Sequence, residues 1–179
     1  MEFPHIGQCA RDSGTMAHAV FPGSFDPLTY GHLDIIGRAL RMFDRVTVAV
    51  LDNPEKKLLF SPEERVAFIE SECKKFGKRV QVERFKGLLV DFMRRRKAHA
   101  IIRGLRAISD YDYEVQMALM NRSLSGDVET VFLVAREENS FISSSMVKQV
   151  ALYGGDIGRF VPPKVARALK KAAHERLKL

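Results

Sequence analysis

The stretch Ala19-Val20-Phe21-Pro22-Gly23-Ser24-Phe25-Asp26-Pro27-Leu28-Thr29-Tyr30-Gly31-His32 decides the architecture. It opens on a short apolar run, passes through a loop of turn formers, and enters a segment where Leu33, Ile36, Leu40 and Phe43 recur at helical spacing. A strand is followed by a helix, and the same order recurs down the chain. Val46 to Leu51 is a second β-branched run, and Ser61-Pro62-Glu63-Glu64 then supplies a Ser cap, Pro at the first helical position and Glu at the capping-box position. Val66, Ile69, Cys73 and Phe76 form one apolar stripe, which reads Cys73 as a core residue, and Gly77 follows where a left-handed cap is wanted. The third unit is Val80 to Phe85 with a helix from Leu88 to Lys97. The fourth is Ala100-Ile101-Ile102 with a helix that Asp110 is expected to cap, running towards Ser123. The fifth is Thr130 to Val134, then a polar loop and a helix opening among Ser143-Ser144-Ser145 and closing before Gly154-Gly155. The expected fold is α/β, a Rossmann-like, doubly wound, parallel five-stranded sheet. A C-terminal helix after Val161-Pro162-Pro163 carries Val165, Ala168, Leu169 and Ala172 on its apolar side.

The chain has 179 residues, 46% of them apolar, which suits one domain with a substantial core. Residues 1–15 are expected to be a disordered extension and 16–179 a single domain. With 28% charged residues and no apolar run near the roughly 20 residues of a membrane helix, a spanning protein is excluded. The two cysteines, Cys9 and Cys73, belong to no CxxC or zinc-ligand spacing, which fits a reducing, cytoplasmic setting. Twenty-nine Lys and Arg against 22 Asp and Glu give a net charge of +7, which first suggests an anionic partner such as nucleic acid. Most of the excess, however, lies in two places: six Lys and Arg against one Glu after Pro163, and the run Arg94-Arg95-Arg96-Lys97. That run ends a helix, where cations complement the dipole, and no aromatic residues interleave with it as nucleic-acid binding would require. No nucleic-acid partner is expected.

Ligands of an open parallel sheet bind beyond the carboxyl ends of its strands. Neither GxGxxG nor GxxxxGK[ST] occurs in the chain, which argues against a dinucleotide oxidoreductase and a P-loop phosphotransferase. Instead Ser24, Gly31 and His32 crowd the start of the first helix, where free N–H groups and the dipole attract phosphate. The segment Thr29-Tyr30-Gly31-His32 resembles the (T/H)xGH motif of the nucleotidyltransferases, and Ile142-Ser143-Ser144-Ser145 with Lys148 resembles their ISSxxx(K/R) motif. With Ile102-Arg103-Gly104-Leu105-Arg106-Ala107 and Asp110-Tyr111-Asp112-Tyr113-Glu114 between them, the chain from about Ala17 onwards resembles the bacterial phosphopantetheine adenylyltransferases.

The resemblance implies adenylyl transfer from ATP to 4′-phosphopantetheine, giving dephospho-coenzyme A and pyrophosphate, without a covalent intermediate. It also implies roles. His32 stabilises the transition state at the α-phosphate; Ser24 and Phe25 contact ATP, with Ser24 also near the acceptor phosphate. Lys56 and Arg103 grip that phosphate and Leu89 lines the pantetheine arm. Gly104, Leu105, Arg106 and Glu114 hold the nucleotide, while Asn139, Ser140, Phe141, Ile142, Ser143, Ser144 and Ser145 cradle adenine and the β,γ-phosphates. The family commonly has Thr at the position of Ser24, and an aromatic residue beside adenine where this chain has Asn139. Mg²⁺ is expected to arrive with ATP rather than at a protein metal site; Asp110-Tyr111-Asp112 reads as a helix start. A homohexamer, with coenzyme A as a feedback ligand, is also implied. The alternative is a related nucleotidyltransferase acting on nicotinamide mononucleotide or glycerol phosphate, though those relatives usually carry His where this chain has Thr29.

Overall fold

The computed structural model describes residues 16–52, 58–106 and 108–177. The expected residues 1–15 extension and Lys56 therefore lie outside the described residues. Five strands alternate with helices: β1 (His18–Gly23), α1 (Tyr30–Ala39), β2 (Arg45–Leu51), α2 (Pro62–Cys73), β3 (Val80–Phe85), α3 (Leu89–Arg96), β4 (Ala100–Leu105), α4 (Ile108–Leu124) and β5 (Glu129–Val134). A short helical turn α5 (Glu137–Ser140), then α6 (Ser144–Leu152) and α7 (Pro163–Leu177), complete the domain. All strand pairings are parallel, in the order β3-β2-β1-β4-β5. The order reverses at β1, so the crevice of a doubly wound sheet opens between the ends of β1 and β4.

Alternate residues of one strand serve two cores, as a sheet covered on both faces requires. Ala19 and Phe21 face the larger core, built with Ile36 of α1, Ile69 of α2, Val147 of α6 and Leu169 of α7. Val20, Ala49 and Ile101 face the smaller one, with Phe92 and Met93 of α3. Cys73 is buried as expected, which pushes its thiol up to about 11.

Local signals place most helix ends. Ser61 caps α2 and makes the reciprocal bond with Glu64, Ser143 caps α6, and Gly77 takes φ 59° in a 3₁₀ segment after α2. Three expectations change. α1 ends at Ala39, before Phe43. The polar loop after β5 contains the turn α5. α4 starts at Ile108, so Asp110 lies inside its first turn and accepts from the Arg106 guanidinium at 3.1 Å instead of capping the helix. The basic run at the end of α3 is engaged within the fold: Arg94 donates to Asp91 and to the Leu124 carbonyl, Arg95 lies over Phe92, and Arg96 pairs with Glu83. On α4, Tyr113, Met117, Met120 and Leu124 recur at intervals of three and four residues and are all exposed, which makes an open apolar stripe.

Candidate active site

A cleft of about 490 Å³ opens at the carboxyl ends of β1 and β4, floored by the β1–α1 loop and walled by β4, α4 and the start of α6. The loop is anchored from two sides. Arg103, at the end of β4, donates to the Pro22 carbonyl at 2.9 Å. Arg65 of α2, 1% exposed, donates to the carbonyls of Ser24 (2.8 Å) and Leu51 (3.0 Å). Directly after these anchors Phe25 sits at φ 50°, a left-handed conformation uncommon for a bulky residue. This conformation lays the Phe25 ring over Gly23, where a β-carbon would stand 3.0 Å from the ring. Any side chain at residue 23 would displace Phe25, whose ring packs edge-on against His32 at 5.1 Å between centroids.

His32 is the third residue of α1 and takes the place Glu or Gln usually has in a capping box. The Thr29 N–H donates to His32 Nδ1 at 3.1 Å, and the His32 N–H donates to Thr29 Oγ1 at 3.3 Å. Because Nδ1 accepts from a peptide N–H, it carries no proton. The neutral ring therefore holds its proton on Nε2, a donor left for the cleft. Burial pushes the imidazole down to about 4, and the guanidiniums of Arg106 and Arg103 add to the shift. With a folded pKa near 4 against 6.5 unfolded, the unfolded chain binds the extra proton in this window, so stability attributable to His32 falls as pH drops from 6.5 towards 4. NMR titration of the His32 ring is expected to be flat from pH 8 to about 5; a midpoint near the ordinary 6.5 would exclude the neutral ring.

Arg103 meets Glu114 side by side: Nε to Oε2 at 2.6 Å and Nη2 to Oε1 at 2.5 Å. With the Pro22 carbonyl this uses three of the five guanidinium N–H groups and leaves two for a ligand. Arg106, paired with Asp110, also donates to the Ile142 carbonyl at 3.3 Å and so ties β4 to the loop before α6. Ser143 caps α6, and Ser144 donates to the Pro27 carbonyl at 2.8 Å, bringing a helix N-terminus to the β1–α1 loop. Cations, hydroxyls and N–H groups thus converge on one space, an arrangement suited to a phosphate-rich ligand.

The structure brings Ser24, Phe25, His32, Arg103, Gly104, Arg106, Glu114, Asn139, Ile142, Ser143, Ser144 and Ser145 to this cleft. Four expected residues stand elsewhere. Leu89 opens α3 and packs against the smaller core with Leu51. The Leu105 carbonyl is taken up by the N–H of Ala135, just past β5. Ser140 closes back on the Glu137 carbonyl, and the Phe141 ring, 58% exposed, packs on Phe160. The aromatic residues in the cleft wall are Phe21 and Phe25, not a neighbour of Asn139. Two contributors escaped the sequence reading. Arg65 stands at the helical spacing of Ile69 and Cys73, a signal hidden by its charge. Asp26 gives no local signal beyond its place between Phe25 and Pro27.

Residues 20–150 match the model of the cytidylyltransferase-like family. The chain is 53% identical over 160 residues to a phosphopantetheine adenylyltransferase of Thermotoga neapolitana, covering 89% of this chain and 96% of that one. It is 54% identical over 150 residues to the enzyme of that name from Clostridium kluyveri, with 84% and 91% covered. Among solved structures, Plasmodium falciparum nicotinic acid mononucleotide adenylyltransferase complexed with NaAD is similar with a TM-score of 0.66 at 15% identity, over 88% of this chain and 96% of that one. A bifunctional NMN adenylyltransferase/ADP ribose pyrophosphatase of Francisella tularensis gives 0.64 at 19% identity, over 88% and 49%. At such identities the likeness is one of fold.

Proposed function

The chain belongs to the phosphopantetheine adenylyltransferases, within the cytidylyltransferase-like family, and on that premise we propose that the β1/β4 cleft is where it transfers the adenylyl group of ATP to 4′-phosphopantetheine in coenzyme A biosynthesis. The observation that carries this placement is His32 Nε2–H, held neutral beside the guanidiniums of Arg103 and Arg106 at the strand ends.

An oxygen of the phosphopantetheine phosphate forms a bond to the α-phosphorus while the bond from that phosphorus to the bridging oxygen breaks and pyrophosphate leaves. The attacking oxygen is already anionic, so no general base is required. The protein's task is to hold two anions in line and to neutralise charge where it builds up. His32 Nε2 donates to the α-phosphate. The two free N–H groups of Arg103 take the acceptor phosphate, with Lys56 as the second cation of that subsite. Arg106 and the α6 N-terminus, through Ser143, Ser144 and Ser145, receive the triphosphate tail, and Asn139 and Ile142 border the base. ATP enters as its magnesium complex; the cleft carboxylates Asp26 and Glu114 are each engaged by a cation of the protein, which leaves the ion to the phosphates.

Assembly as a homohexamer, feedback by coenzyme A in the same cleft and a cytoplasmic setting complete the proposal. The exposed apolar side chains of α4 offer a face for a second copy. Among the described residues no helix is long and apolar enough to cross a membrane. Pyrophosphate release from Mg-ATP should proceed with phosphopantetheine and be at least about 100-fold slower with nicotinamide mononucleotide, or from CTP with glycerol phosphate. Equal rates with either alternative, or none with phosphopantetheine, would overturn the assignment.

A further inference from the structure

Asp26 borders the cleft but is only 3% exposed, and its carboxylate is fully occupied. It accepts the N–H of Leu59 at 3.1 and 3.0 Å, the N–H of Phe60 at 3.0 Å and the Lys148 ammonium at 2.7 Å. These partners come from opposite walls: Leu59 and Phe60 from the connection into α2, Lys148 from the second turn of α6. Two peptide N–H groups and the buried backbone fix the carboxylate, so the ion pair fixes the lysine. Without it, a four-carbon stem that is 28% exposed would sample several rotamers along the wall between α6 and the cleft. The buried guanidinium of Arg65 also lies close enough to feel the charge of Asp26, but its hydrogen bonds go to the Ser24 and Leu51 carbonyls, and the direct ion pair of this carboxylate is with Lys148.

A carboxylate serving stability alone has little use for an ammonium facing a ligand space. Its two peptide donors hold it in place, and although the buried charge needs a counter-ion, an ion pair adds little stability over an apolar pair of the same size, so stability alone does not call for this pair at the cleft. The placement is better explained by function. We propose that Asp26 is a positioning residue for adenylyl transfer, setting where the Lys148 ammonium stands beside the nucleotide phosphates and locking residues 58–60 to the β1–α1 loop. The inference rests on the reading of the cleft given above.

The test is a double-mutant cycle on ATP affinity, measured by calorimetry with Mg-ATP and no acceptor, so that it stands apart from the acceptor assay. Asp26→Asn and Lys148→Met are each expected to weaken ATP roughly tenfold, and the double variant no more than the worse single, because one interaction is lost once. Steady-state kinetics should show the same change in the KM for ATP, with the KM for phosphopantetheine within about twofold of wild type. Asp26→Glu keeps the charge but moves it by a methylene, and is expected to raise the Kd for ATP as well. An unchanged Kd in Lys148→Met or in Asp26→Glu, multiplicative losses in the double variant, or a loss of thermal stability with unaltered ATP affinity would each overturn the proposal.

Discussion

Replacing His32 with alanine is expected to lower kcat about 10³-fold while leaving the KM for ATP within a few-fold of wild type. The asymmetry follows from where the ring stands and what it donates. A neutral Nε2–H adds little to the affinity of an anionic nucleotide beside two guanidiniums, but it strengthens as charge gathers on the α-phosphate. Loss of one such donor costs about 3–4 kcal/mol in the transition state. Alanine also removes the acceptor for the Thr29 N–H and half of the reciprocal cap of α1, a cost of about 1 kcal/mol in stability. The two effects separate readily: denaturation reports the cap and single-turnover kinetics report the chemistry. Glutamine, which restores a side-chain partner for the cap, should recover stability without the rate. Near-normal turnover of the alanine variant would remove His32 from the reaction.

Arg103→Ala is the second large effect. It removes the two N–H groups proposed to take the acceptor phosphate and also strips Glu114 of both guanidinium donors, Nε and Nη2. The Glu114 side chain is only 13% exposed, so its orphaned carboxylate should cost roughly 1–3 kcal/mol of stability. Turnover efficiency with phosphopantetheine should fall by about 10²–10³, most of it in KM for the acceptor. Arg103→Ala with Glu114→Gln is expected to regain stability without activity. Arg103→Lys should fail as well, since one ammonium cannot reach both Glu114 oxygens and the Pro22 carbonyl in the plane the guanidinium uses. An unaltered kcat/KM for phosphopantetheine in the alanine variant would exclude Arg103 from the acceptor subsite.

What the chain discloses without coordinates is governed by range. The Ser61 and Ser143 caps and the two-faced strands depend on neighbours within a turn or on simple alternation, and each stands where its spacing puts it. His32 is singled out in the sequence by its place at a helix start and by the motif Thr29-Tyr30-Gly31-His32, and its bond to Thr29, three residues away, is of the same short range. The contacts that shape the cleft are of another kind. Arg103 finds Glu114 only because α4 begins at Ile108 and swings that residue back over β4, and Arg65 reaches Ser24 from 41 residues away. Asp26 meets Lys148 across 122 residues. No periodicity carries such pairings, which arise only when the sheet order is known. The same limit applies to Leu89 and Phe141, which the family resemblance assigns to the ligand: the start of α3 sets Leu89 against the smaller core, and Phe141, after the turn of α5, packs on Phe160.

The end of β1 is gripped by Arg103 at Pro22, and the loop after it by Arg65 at Ser24 and by Ser144 at Pro27. Fixing six or so residues this way withdraws about 1–2 kcal/mol of conformational entropy for each backbone unit, and the withdrawal happens when the domain folds. Nothing of it remains to be subtracted when nucleotide arrives. The loop that floors the cleft is thus preorganised, and binding energy that a floppy loop would dissipate in becoming ordered is kept for aligning two anions that repel each other.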